Sequence, residues 1–422
     1  MSAALVGESR SDGAKRLRIA VLCPHFAPDT APTGEVITRL VHELAELGHE
    51  LHVVTTLPWY RNHAIEADWR GRFVRRETTP WGSITRVYPF PGTDRRNLLR
   101  RAVGFVGFSA LAGAASLRGG RVDAVIAMSP PLTLGLTGWG TRLVRRGPLV
   151  FNIQDVFPDA AVATGAIENR VVIAAARWLE RFSYHRSSAI TVLSEDLREN
   201  VVAKVKQSHR ERVHVIPNFV DTDLIRPGDR MTELRRELGI GPEPVVLYAG
   251  NVGFSQSLAM VVNAASSFPD VTFLINGEGA ARTSLQEQAD GARNVVFGNY
   301  QPANRVGEVL ATGDIHLIPL KSGLGRVSVP SKTYSILAAG RPVLAAIDRD
   351  TEVPRILAAS GAGLAVDPDD PSAFVEGLRA MLDDLAGWSR RGASGREWVL
   401  QAASPPAVAL AYEQLIRSLG RA

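Results

Sequence analysis

Apolar runs of strand length alternate with amphipathic stretches of helix length through both halves of the chain. A strand covered on both faces reads as a continuous apolar run and a flanking helix as a one-sided stripe, so this alternation points to parallel sheets built from strand-helix-strand units. The first unit is the clearest: Arg18 to Leu22 is a buried strand, Pro24 to Thr33 a loop with three prolines, and Glu35 to Leu47 an amphipathic helix. Thr33 is the expected N-cap of that helix and Gly48 its C-terminal stop, with the second strand at Leu51 to Thr55. Further strands are predicted at Ile84 to Tyr88, Ala124 to Met128, Leu149 to Ile153, Ala189 to Leu193 and Val213 to Ile216.

Past Asn218 the pattern loosens through Asp221, Asp223, Pro227 and Gly228, which reads as a linker. A second series follows, with strands at Val245 to Ala249, Val271 to Ile275, Val295 to Phe297, Ile315 to Pro319, Pro342 to Ala346 and Gly363 to Val366, and a helix from Leu258 to Ala265. The 422 residues exceed what one core organises, and two doubly wound α/β domains fit best. The expected division is a disordered leader over 1–15, a first domain over 16–220, and a second over 221–403. In such folds ligands sit beyond the carboxyl ends of the strands, here in a cleft expected between the two halves.

The formal charge of +5 suits phosphorylated ligands or an anionic membrane face and is too small to argue for nucleic acid. A single cysteine, Cys23, excludes an intramolecular disulfide and reads as a small buried side chain in a reducing compartment. The apolar run Ala102 to Leu117 is too short to span a bilayer, and Met1 to Lys15 lacks the apolar core of a signal peptide, so a cytoplasmic location is expected.

The segment Lys321 to Ser335 carries the most chemistry. It follows a strand and opens a helix; Gly323 and Gly325 let backbone amides approach an anion, Ser331 suits the N-cap, and Lys321, Arg326 and Lys332 supply cations. A diphosphate whose charge grows as a leaving group departs fits that arrangement, and a solvated basic turn is the alternative. Gly250-Asn251-Val252-Gly253, after the first strand of the second series, is a second ligand-loop candidate, and Asn276-Gly277-Glu278-Gly279 a third, with turn geometry as the competing explanation for both. In the first half, Gly34 stands near a helix start, His25 ends the first strand, and Asp155 and Asp159 follow another strand, where they suit acceptor orientation or helix capping. Arg95, Arg96, Arg100 and Arg101 precede the apolar helix, and with Trp59, Tyr60, Trp69 and Trp81 they suggest reversible docking on an anionic membrane, a packed surface helix with solvated arginines being the alternative.

Taken together, Ile216-Pro217-Asn218-Phe219-Val220-Asp221 and Ala338-Ala339-Gly340-Arg341-Pro342-Val343 resemble signatures of the retaining glycosyltransferases of family 4. Asp155-Val156-Phe157-Pro158-Asp159, Tyr248-Ala249-Gly250-Asn251-Val252-Gly253 and Val329-Pro330-Ser331-Lys332-Thr333-Tyr334 are similar to a branch that assembles bacterial surface polysaccharides and includes fucosamine transferases. The resemblance implies the GT-B architecture, two facing Rossmann-like domains with a last helix, Ser404 to Leu419 within 404–422, crossing back to the first. It further implies a hexosyl- or N-acetylhexosaminyl-type transferase moving sugar from a nucleotide-diphosphate sugar, a UDP-sugar in the expected case, to a lipid-linked or membrane-proximal acceptor with retention. The donor's phosphate oxygen would then take the acceptor proton.

On this reading His25, Asp155 and Lys332 are the catalytic candidates. Gly34, Gly250, Asn251, Gly253, Gly277, Glu278, Lys321, Arg326, Ser331, Lys332 and Ser335 are the donor-binding ones. The family's pair of glutamates falls at Val327 and Ser335, neither acidic, and the usual cations after the first glycine are absent from Asn251 to Ser257, which moves phosphate binding onto Lys332, Arg326 and Lys321. No Asp-x-Asp triplet lies near the donor loops, so no metal is expected. The competing functions are a nucleotide-sugar epimerase of the same architecture and a non-catalytic nucleotide-sugar-binding subunit. An NAD-dependent dehydrogenase is disfavoured because the glycine loop lacks its third glycine.

Overall fold

The structure, a computed structural model, describes residues 15–61, 63–91, 98–159, 162, 167, 169–325 and 332–420, with only the backbone of 98–103. The expected leader lies outside this range except for Lys15, as do Arg95, Arg96, Arg326 and Ser331. The chain forms two compact units, one running to Asn218 and resuming at Val408, the other spanning Phe219–Ala407.

The first unit holds eight strands: β1 (Arg18–Leu22), β2 (Glu50–Thr56), β3 (Val74–Thr79), β4 (Gly82–Val87), β5 (Ala124–Ser129), β6 (Leu149–Ile153), β7 (Ala189–Val192) and β8 (Val213–Val215). They lie in the order β3-β4-β2-β1-β5-β6-β7-β8 and are parallel except for the antiparallel β3-β4 pair. Helix Pro32–Glu46 covers the sheet with Ile37, Leu40, Val41 and Leu44, the one-sided stripe that the sequence displays. Its start corrects the expected cap: Thr33 is inside the helix, and Ala31 occupies the N-cap without a side-chain hydrogen bond. Pro32 explains this, because a proline at the first helical position gives up an N–H that would have no partner and fixes φ near the helical value.

β3 was missed for a physical reason. Its sequence Val-Arg-Arg-Glu-Thr-Thr has no apolar run, and no residue of it is buried. Charges on an edge strand guard against further strand addition.

The last helix, Pro405–Leu419, belongs to the first unit from Val408 on. Tyr412 anchors it there: its hydroxyl accepts from Asn152 Nδ2 at 2.7 Å and lies 3.1 Å from Thr191 Oγ1, at the ends of β6 and β7.

The second unit is a wholly parallel sheet of β9 (Val245–Ala249), β10 (Thr272–Asn276), β11 (Val295–Gly298), β12 (Ile315–Pro319), β13 (Val343–Ala346) and β14 (Gly363–Val366), ordered β11-β10-β9-β12-β13-β14. Arg235, fully buried, ties its amino-terminal side: it donates to the carbonyls of Thr312, Gly241 and Glu243 and pairs with Asp314 at 2.8 Å. A buried guanidinium so fully bonded is a structural brace.

Candidate functional site

In each sheet the strand order reverses at one place, and there the loops diverge to leave room for a ligand. In the second unit that place is between β9 and β12, whose following loops begin at Gly250 and Leu320. The helix Lys332–Ala338 starts beyond the β12 loop, and just after its end Gly340, with φ +69°, turns the chain away.

Lys332 is the centre of this region. Its Nζ lies 4.0 Å from the centroid of the Tyr248 ring and 3.7 Å from where a Cβ on Gly250 would stand. No carboxylate pairs with it among the described residues. Burial without a counter-charge pushes its pKa down to about 7. Tyr248 in turn donates its hydroxyl to the Asn251 carbonyl at 2.6 Å, so ring, loop and cation form one assembly. Ser335, three residues along the same helix and half-buried, lies on the face that carries Lys332.

The glycine loops are packed backbone to backbone. Gly250 N–H donates to Asn276 O and Val252 N–H to Glu278 O. A Cβ on Gly277, at φ +151°, would stand 1.9 Å from Gly250 O, and one on Gly279 2.2 Å from Val252 O. Only glycine permits that approach. Gly253 N–H is bonded to Gln256 Oε1 at 3.1 Å, and Asn251 is exposed. Glu278 reaches Arg282 at 3.4 Å and is half-exposed. The backbone N–H of Lys321 donates to Ser255 O at 3.0 Å, joining the β12 loop to the β9 loop.

One expectation is revised here. The amides of Gly323 and Gly325 face an anion that belongs to the protein itself: Asp348 accepts from Gly323 N at 3.0 Å and from Gly325 N at 2.9 Å, and Asp369 accepts from Ser322 N at 2.9 Å. These amides are therefore engaged, and the loop is shaped by carboxylates that no local spacing in the sequence reveals. Arg341 of the Ala338 to Val343 segment is likewise occupied, donating to the carbonyls of Gly228 and Ala311.

In the first unit the reversal lies between β1 and β5. His25 follows β1, and its Nδ1 is 2.7 Å from Asp29 Oδ2; Asp29 is buried and also accepts the Tyr60 N–H at 3.0 Å. The buried carboxylate fixes the orientation of the imidazole through Nδ1 and leaves Nε2 as its other polar atom. Gly34 is required beside it, since a Cβ there would stand 2.8 Å from His25 Cβ. Trp59 and Tyr60 pack on the imidazole with ring centroids 5.6 and 5.3 Å away. Trp69 packs against Arg75 and Arg86, and Trp81 against Phe26 and His42, so these aromatics have partners within the first unit.

Trp59 Nε1 and Ser129 Oγ, the latter at the end of β5, are buried with no hydrogen-bond partner among the described residues. The sequence reading missed Asp29 and Ser129; the proline-flanked turn around each was the available signal. Asp155 lies exposed just past β6, with no described contact to His25, whereas Asp159 pairs with Lys204 at 2.6 Å. Cys23 is fully buried and its thiol is pushed up to about 12, which makes it inert.

Two doubly wound sheets, with backbone-dense glycine loops at the strand reversal of the second, define an α/β protein of the open-sheet class in which ligands sit beyond the carboxyl ends of the strands. Two family models match the chain: the glycosyl transferase 4-like domain over residues 33–218 and glycosyl transferases group 1 over residues 243–384. The chain belongs to the glycosyltransferases of family 4, with the GT-B fold. WcaI of Escherichia coli (strain K12), named for colanic acid biosynthesis, is 26% identical over 87% of this chain and 92% of its own length. Sucrose-phosphate synthase from Thermosynechococcus elongatus superposes with a TM-score of 0.68 at 18% identity, covering 96% of this chain and 99% of that one. HepE of Anabaena, solved with UDP and glucose, gives a TM-score of 0.63 at 13% identity, covering 96% of this chain and 100% of that one. Among the described residues no group of three or more His, Cys, Asp or Glu could hold a metal ion.

Proposed function

We propose that this glycosyltransferase moves a hexosyl or N-acetylhexosaminyl residue from a UDP-sugar to a lipid-linked or membrane-proximal acceptor during synthesis of a bacterial surface polysaccharide. The observation that carries the donor assignment is Lys332, a mostly buried cation with no carboxylate partner among the described residues, poised over Tyr248 beside Gly250. A desolvated, unpaired charge is costly unless a ligand completes it, and a diphosphate supplies the complementary anion. In the reaction the bond from the anomeric carbon to the diphosphate oxygen breaks, and the acceptor oxygen bonds to that carbon on the same face. The acceptor proton passes to the departing phosphate oxygen.

Lys332 then stabilises the charge that grows on the leaving group. His25, fixed by Asp29, orients the acceptor hydroxyl, and Asp155 serves the acceptor side. The glycine loops and Ser335 receive the nucleotide, with Lys321, Arg326 and Ser331 completing the diphosphate site. Polysaccharide synthesis is supported by the name of WcaI, and a uridine nucleotide by the ligand of HepE.

Among the described residues no helix is long and apolar enough to cross a membrane. We place the protein in the cytoplasm, peripheral on the inner face of the plasma membrane, through the helix Leu98–Ser116, which carries Arg100 and Arg101 in its first turn, and through Arg95 and Arg96 ahead of it in the sequence. The test is release of UDP only when donor and acceptor are both supplied, with the product's anomeric configuration read by NMR. Conversion of donor without acceptor would favour an epimerase, and an inverted product would remove the retaining course.

A further inference from the structure

A second anion site is suggested at the opposite end of the first unit's sheet, where the chain enters β6, β7 and β8. A cavity of about 840 Å³ opens there, lined by Arg142, Arg146, Arg186 and Arg212 together with Trp139 and Leu143. Among the described residues that line it none is acidic, and none of the four arginines forms an ion pair with a described carboxylate. Two of them use one N–H each on carbonyls that end helix Arg170–Arg186: Arg142 Nη1 donates to Arg186 O at 2.8 Å and Arg212 Nη1 to Ser187 O at 3.4 Å. The guanidinium of Arg186 rests 5.6 Å from the ring centroids of both Trp139 and Phe182, which holds it in place without neutralising it.

Cations near helix carboxyl ends offset the helix dipole, but that need is met by one or two charges and does not require four around one hollow. Burial first, and after it the like charges of Arg212 and Arg186, push the Arg142 pKa down. Arg146 is left over altogether: it is exposed, with φ +56°, and makes no hydrogen bond or ion pair with a described residue.

We infer that this cavity binds a phosphate group, with Arg142, Arg146 and Arg212 as its ligands and Arg186 as a fixed positive wall. Four guanidiniums lining one hollow, each a planar fork of N–H donors, suit the tetrahedral oxygens of a phosphate better than a single carboxylate. The phosphate can belong to a soluble polyphosphate or to a lipid headgroup; Leu143, 58% exposed on the rim, and Trp178, 62% exposed and stacked on Phe182, suit the second source. The site is independent of the transfer chemistry proposed above.

The experiment is titration of inorganic pyrophosphate into Lys332→Ala protein, where the other candidate anion site has lost its cation, followed by sedimentation with vesicles of phosphatidylglycerol in phosphatidylcholine and of phosphatidylcholine alone. A soluble source predicts pyrophosphate binding that weakens roughly tenfold or more in Arg146→Gln, which removes no hydrogen bond or ion pair to a described residue, and further in Arg142→Gln/Arg212→Gln. A headgroup source predicts the same losses for the phosphatidylglycerol vesicles only, with Arg100→Gln/Arg101→Gln as the control that leaves the effect of Arg146→Gln in place. Thermal melting of each variant separates lost folding from lost binding. The assignment is overturned if Arg146→Gln and the double variant, melting like the parent, bind both probes as the parent does. Whether UDP-sugar turnover persists reports on the other site alone.

Discussion

His25 and Lys332 each follow a central strand of a doubly wound sheet, yet the two regions treat their charge in opposite ways. His25 meets a buried aspartate 2.7 Å away and two aromatic rings. Lys332 meets a tyrosine face and a glycine, and no described carboxylate. A polar group completed within the protein is oriented by it, while one left incomplete is poised for something that arrives from outside. The first region is accordingly read as a positioning device and the second as a binding charge.

The largest effect is expected where the charge is incomplete. Lys332→Ala should weaken UDP-sugar binding and turnover by about 10²-fold, the size of a lost charge-assisted contact to a leaving group, while the melting temperature stays level or rises because a desolvated cation has gone. Calorimetric titration and UDP release measure the first part, thermal melting the second. A variant that melts well below the parent would mean that the lysine braces the fold, and the contrast would fail.

Asp29→Ala should show the reverse pattern. It removes the acceptor for the Tyr60 N–H and frees the imidazole, so a stability loss of about 2 kcal/mol is expected, with donor affinity unchanged. Denaturant unfolding checks the first and titration the second. Loss of donor affinity without loss of stability would sink the division of labour.

This contrast was only half legible in the sequence. The strands around both sites were readable because a strand buried on both faces writes a continuous apolar run, and β1, β6, β9 and β12 begin and end at the expected residues. Lys332 was readable as the first residue of a helix following a glycine-rich loop. Its isolation was not, because the absence of a nearby carboxylate is a fact of tertiary packing. Asp348 and Asp369 make the same point in reverse: they lie 23 or more residues from the amides they accept from, and nothing local marks them. Asp29 was overlooked although four residues from His25, since a loop rich in proline conceals which side chains face each other.

A smaller effect follows from titration. With its pKa near 7 in the free protein, Lys332 is partly neutral at physiological pH, and a bound diphosphate raises that value toward the ordinary lysine range. Binding therefore takes up a proton above pH 7, so affinity for a UDP-sugar, whose diphosphate does not itself titrate there, should fall as pH rises, by at most about tenfold per unit. It should level off below about pH 6, where the lysine is already charged. Lys332→Arg stays protonated throughout and should give a flat profile. A wild-type profile equally flat from pH 6 to 9 would place the group's titration elsewhere.

The smallest effect separates the cation from the loop beside it. Tyr248→Phe removes the hydroxyl that donates to Asn251 O at 2.6 Å and keeps the ring beneath Lys332. If the cation is what holds the donor, this variant should lose only about 1 kcal/mol of stability and less than roughly fivefold in affinity, whereas Tyr248→Leu, which also removes the aromatic face, should lose more. Should Tyr248→Phe weaken the UDP-sugar as severely as Lys332→Ala, the position of the Asn251 backbone, and not the charge above the ring, would be the element that holds the donor.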